Sequence, residues 1–153
     1  MRKPADTPAT VRVTHHCASP PARVFDAWLT PSLAGLWLFA TASRPIKSVV
    51  LDARNGGAFC FMERRAGVNI EHRGTYLEIS HPHRLAFTLH SPDFSSDPTC
   101  VRITIAPAGA GSELQLVHDR LPRDCAARSE ARWTGMLYGL NMLLAHCYAE
   151  KTC

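Results

Sequence analysis

The spacing of apolar and polar residues changes period along the chain, and each change marks an element. Thr10–Cys17 alternates, with Val11, Val13 and His15 on one side and Thr10, Arg12, Thr14 and His16 on the other. A period of two is that of a half-buried strand. Ser19-Pro20-Pro21 ends it and opens a helix, since Ser19 can cap and proline is tolerated in a first turn. Val24 and Trp28 are four apart and share a face of that helix. Thr30-Pro31 repeats the device, and the second short helix has Leu33, Leu36 and Trp37 on its apolar side before it fades over Phe39–Ser43.

The middle of the chain reads as strands. Pro45–Arg54 is the first of them, and Asn55-Gly56-Gly57 signals a hairpin, because Asn and Gly accept positive φ cheaply. Ala58–Arg64 returns, Ala66–Asn69 turns, and Ile70–Ile79 is a further strand closed by His81-Pro82-His83. Leu85–His90 follows, then a polar loop at Ser91–Pro98 and a strand through Val101, Ile103 and Ile105. Pro107–Ser112 turns into the last strand, Glu113–Asp119, with Leu114, Leu116 and His118 on one face. From about Asp124 to Glu150 the period lengthens to that of a helix. Trp133, Met136, Leu137, Leu140, Leu143, Leu144 and Cys147 form its stripe, and Arg128, Arg132, Asn141, His146 and Glu150 lie opposite.

This order predicts an α+β fold: a curved antiparallel sheet of about six to seven strands, a long C-terminal helix across one face, and two short helices closing an end. Where the sheet bows away from the helix, a cavity can remain. The 153 residues suit a single domain, expected over residues 10–153 behind a loose tail at Met1–Ala9. The 17 Lys and Arg against 13 Asp and Glu are scattered without a run, which argues against a nucleic-acid surface. No signal-type apolar segment opens the chain, and no apolar run is long enough to span a bilayer. Six cysteines at 17, 60, 100, 125, 147 and 153 match no zinc framework and read as free thiols in a reducing cytoplasm, with Cys153 the candidate for an exposed thiol.

The chain resembles the SRPBCC superfamily, which gathers START lipid-transfer domains, birch-pollen-type allergens and polyketide cyclases. It is more similar still to the branch called activator of heat-shock-protein-90 ATPase homologue-like. The resemblance rests on Ala18-Ser19-Pro20, Val24-Phe25-Asp26-Ala27-Trp28, Pro31 with Leu33 and Trp37, and Asp52, Arg54, Gly56-Gly57 and Phe59. It continues through Gly74, Tyr76 and Glu78, Pro82 with Arg84-Leu85, Phe87-Thr88, and Leu114, Leu116 and His118. Trp37-Leu38 stands where the family often has a tryptophan pair, and Arg132-Trp133 where it often has Gly-Trp. The resemblance implies a helix-grip fold with a pocket between sheet and helix. Fold does not name chemistry, so function has to be argued from the site.

Three functions follow as expectations. The first is binding of a small hydrophobic or aromatic molecule, with Trp37, Phe59, Phe61, Tyr76, Phe87, Ile103, Leu116, His118, Trp133, Leu137 and Leu140 as lining residues. The second is an enzyme of cyclase or lyase type, with His118, Tyr76 and Glu63 as candidate acid–base groups, which must then converge. The third is a co-chaperone-like or regulatory protein-interaction module, which the branch name suggests. His118 shares parity with Leu114 and Leu116 and reads first as a satisfied core histidine. Glu63 is expected near the sheet end, within reach of water. Asp52 and Arg54, two apart on a strand, are expected to brace the turn. Gly135 and Gly139, four apart, make a flat patch on the long helix, for close packing or for a ligand. No cofactor and no metal are expected: Pro82 separates His81 from His83, and no third ligand is evident. A homodimer is possible.

Overall fold

The computed structural model describes residues 8–40 and 46–152, with side-chain surroundings defined to residue 146. Strand β1 (Ala9–Cys17) leads into helices α1 (Pro21–Leu29) and α2 (Pro31–Trp37). Six strands follow: β2 (Ile46–Leu51), β3 (Ala58–Arg65), β4 (Val68–Ser80), β5 (Arg84–Leu89), β6 (Thr99–Ala108) and β7 (Gly111–Leu121). A 3-10 turn (Arg123–Cys125) precedes helix α3 (Ala126–Thr152). The seven strands form one antiparallel sheet in the order β1-β7-β6-β5-β4-β3-β2. This is the helix-grip arrangement, with α3 and the short helices against the inner face.

Alternation decides that face. Val11 and Val13, Phe59 and Phe61, His72 and Tyr76, Val101 and Ile103, and Leu114, Leu116 and His118 all point inward and are buried. They meet Val24, Phe25 and Trp28 from α1 and Trp133, Leu137, Leu140 and Leu144 from α3. Tight turns keep the register. Ala66-Gly67 turns with φ of 49° and 80°, a two-residue loop of left-handed residues that suits the twist of a hairpin. Gly74 faces Phe59 across the β3–β4 ladder, where a Cβ would lie 2.8 Å from the Phe59 ring. A Cβ would also run into the Thr88 carbonyl oxygen, so the missing side chain makes room for both the β5 backbone and that ring.

Several expectations shift. Ser19 does not cap α1: Pro20 holds the cap position, and the buried Ser19 offers its carbonyl to the Ser112 hydroxyl at 2.7 Å. Thr30 does hold the N-cap position of α2, but its hydroxyl makes no capping bond there and donates to the Asp26 carbonyl of α1 at 2.7 Å. Leu36 is 64% exposed, while Ala34 and Trp37 carry the buried side of α2. Strand β2 stops at Leu51, so Asp52 and Arg54 sit in the turn itself. They still pair, Nε to Oδ2 at 2.6 Å, but in water, where such a pair is worth little. Ser91–Pro98 is not simply polar, because Phe94 is fully buried. Arg132 is not on the solvent side: it pairs with Asp93. Residues 1–7, which include most of the expected tail, and Cys153 lie outside the described residues, as does the side chain of Cys147; Ala9 already belongs to β1.

Candidate functional site

An aromatic chamber lies between the sheet and the short helices. Phe59, Phe61, Tyr76, Leu85 and Phe87 wall it from the sheet, and Trp28, Leu38 and Phe39 close it from the helical side. Its free space is ≈ 10 Å³, room for about one water. Phe39 fills it. Its ring stacks on His72 at 4.7 Å and 7°, and meets Phe61 edge-on at 5.2 Å and Trp133 at 6.3 Å. The backbone there is left-handed, with φ 62°, a conformation that a bulky residue rarely adopts. Two contacts from α3 hold it: Met136 Sδ accepts the Phe39 N–H at 3.1 Å, and Arg132 Nη2 donates to the Phe39 carbonyl at 2.9 Å.

A buried polar cluster lies behind Phe39. His72 Nε2 donates to Glu63 Oε1 at 2.7 Å, and its Nδ1 accepts from the Ser91 hydroxyl at 2.6 Å. Arg65 bridges Glu63 (Nη2 to Oε1, 2.8 Å) and Asp93 (Nη1 to Oδ1, 2.9 Å), and Arg132 reaches Asp93 at 3.3 Å. Burial alone would raise the Glu63 pKa, but hydrogen bonds and charge from His72 and Arg65 outweigh it and hold it below the usual range. Asp93 is lowered in the same way, burial being overcome by Arg65. Burial lowers His72, against the pull of Glu63. The cluster is therefore two carboxylates, two guanidiniums and a neutral imidazole. Ligand atoms of Glu63, His72 and Asp93 lie within 4.8 Å of one another. A divalent cation there would have to displace Arg65 from both carboxylates and sit beside two positive charges. This donor set is built as an ion-pair cluster, not a metal centre.

His118 belongs to a separate chain of bonds. Trp133 Nε1 donates to His118 Nδ1 at 2.9 Å, so the imidazole proton is on Nε2, which donates to Thr99 Oγ1 at 2.7 Å. The Thr99 hydroxyl passes on to the Leu89 carbonyl at 2.9 Å. Burial pushes the His118 pKa down to about 4, with Asp119 opposing. Every polar atom of the ring is engaged in the neutral state.

The model of the activator of Hsp90 ATPase homolog 1-like protein family matches residues 18–145, most of the chain. The chain belongs to this family. A solved protein from Chromobacterium violaceum is similar at 28% identity and TM-score 0.78, covering 88% of this chain and 96% of that one. The solution structure of an AHSA1-like protein from Aeromonas hydrophila aligns at 20% identity and TM-score 0.79, over 91% and 94% of the two chains. A Staphylococcus aureus protein whose function is unknown superposes at TM-score 0.82 with 13% identity, over 94% and 97%. The last two show the shared fold only. No curated protein matches the chain.

Within this AHSA1-like frame the expected site residues separate. Phe59, Phe61, Tyr76 and Phe87 line the chamber. Ile103, Leu116, Leu137 and Leu140 are buried in the surrounding core, as is Trp133, which bonds His118. Trp37 is buried against Trp28, edge-on at 4.6 Å, and borders the outer surface between α2 and α3. Glu63 is 1% exposed, not near water, because Arg65 and His72 enclose it. Among the described residues no hydrogen bond joins any two of His118, Tyr76 and Glu63. The sequence reading missed Phe39, His72 and Asp93. His72 shares parity with Tyr76, and that was the available signal. Asp93 and Phe39 lie on irregular segments, where no period says which way a side chain points.

Proposed function

We propose that this AHSA1-like chain binds a small apolar molecule with an aromatic ring, in the chamber between sheet and helices, with Phe39 giving up its place to it. The observation that carries the reading is Phe39. Its ring is seated on a planar partner, and its backbone is held in a conformation that costs about 1–3 kcal/mol. Withdrawal would relieve that strain and vacate the volume of a phenyl group. The space left would be walled by Phe59, Phe61, Tyr76 and Phe87, with the His72 face as a stacking platform. A chamber with one polar edge and aromatic walls selects a flat, mostly apolar guest.

The acid–base alternative lacks the convergence that it needs, since His118 is fully bonded within the core and Glu63 is held by Arg65 and His72. The geometry therefore favours binding over catalysis. The test is native mass spectrometry of the protein incubated with naphthol. A single-ligand adduct is expected for the natural chain and its loss for Tyr76→Trp, which fills the chamber. An adduct of equal intensity in a folded Tyr76→Trp variant would place the guest elsewhere and overturn the reading.

A further inference from the structure

We propose that the groove between α2 and α3 is a second binding site, for an amphipathic carboxylate with an apolar tail. The groove is open to solvent and offers ≈ 650 Å³, a volume within the usual range for small-molecule sites. Trp37, Met136 and Ala131 make part of its surface, and Leu36 stands at its rim, 64% exposed. Among the described residues its charged lining is Arg128 and Arg132, and no acidic side chain lines it. The two arginines lie four apart on α3, Arg128 in its first turn and Arg132 in its second. Arg132 uses Nη2 for both Asp93 and the Phe39 carbonyl. Its Nε and Nη1 have no acceptor among the described residues.

The glycines give an independent argument. Gly135 and Gly139 lie inside α3 and line the same groove. Glycine in a helix interior is destabilising relative to alanine. Yet a Cβ at either position would meet no described atom within 4 Å. Packing among the described residues therefore does not require them. A tail lying against bare helix backbone does. Ala131, Gly135 and Gly139 form one row at intervals of four, beside the row Arg128, Arg132 and Met136. The head group would sit at the arginines and the tail along the glycines.

Octanoate and octanol, titrated into the isotopically labelled protein, test this by NMR. Octanoate should shift the Gly135 and Gly139 amides and the Trp37 indole saturably, and octanol should bind about fivefold more weakly, as expected for losing a solvated ion pair. Arg128→Gln should weaken octanoate by a similar factor. Gly139→Leu should cost at least about tenfold in octanoate affinity while the melting temperature holds or rises. Equal binding of octanol, unchanged octanoate binding in Gly139→Leu, or no saturable shift would overturn the proposal. A change in sedimentation from dimer to monomer in Gly139→Leu would also overturn it, marking the groove as an interface between copies. Naphthol shifts at Tyr76 and Phe87 should survive Gly139→Leu, so failure of the groove and failure of the chamber are read separately.

Discussion

Phe39 combines two features that rarely coincide, a fully buried aromatic ring and a left-handed backbone. Truncating it to alanine removes the ring but leaves a Cβ in the strained conformation. Phe39→Ala should therefore cost about 3–5 kcal/mol, and Phe39→Gly should be more stable than Phe39→Ala by about 1 kcal/mol. Urea denaturation of both variants checks the order; the reverse order would mean an unstrained backbone. His118 gives a pH signature. Its unfolded value is 6.5 and its folded value about 4, so the unfolded chain binds more protons between them. Stability is full above 6.5 and falls as pH drops through that window, by up to about 3 kcal/mol. His72, also lowered, acts in the same sense, and Glu63 and Asp93 add a loss at more acid pH. Urea midpoints measured at neutral pH and at about pH 5 should differ less in His118→Gln than in the natural chain. An equal difference would show that His118 is not the group.

At the scale of elements, the loop from Ser91 to Pro98 matters more than its composition suggests. Phe94 stacks on Trp133 at 5.5 Å, while Asp93 ties Arg65 of β3 to Arg132 of α3. The loop thereby links the end of β3 to the long helix. Phe94→Ala should cost about 3–5 kcal/mol in denaturant unfolding, as for a core phenylalanine; a change under about 1 kcal/mol would show a loop that merely covers the surface. The strands were legible because Leu114, Leu116 and His118, or Phe59 and Phe61, repeat with a period of two that only a sheet satisfies. Helix α3 was legible from Trp133 to Leu144 by its offsets of three and four. The 91–98 loop and the Leu38–Phe39 segment were not, since their buried side chains follow no period. Leu36 was misplaced because a seven-residue helix is too short for its stripe to be unambiguous.

For the molecule as a whole, the sheet and α3 form a filled grip. The two sites proposed differ in kind: the chamber beside Phe39 is closed, and the groove between α2 and α3 is open. Arg132 touches both, through the Phe39 carbonyl and through the groove lining. No helix among the described residues is long and apolar enough to cross a membrane. Family membership fixes the frame, and its pattern of hairpin glycines and inward aromatics could be read from the chain. What the frame holds could not, because chamber volume depends on one ring whose direction is set by an irregular backbone. The most direct test is an NMR titration with naphthol, following the ring resonances of Phe39, His72 and Tyr76. The account predicts saturable shifts at all three, largest at Phe39 as its stack on His72 is replaced. Unchanged Phe39 and His72 resonances at saturating naphthol would contradict it.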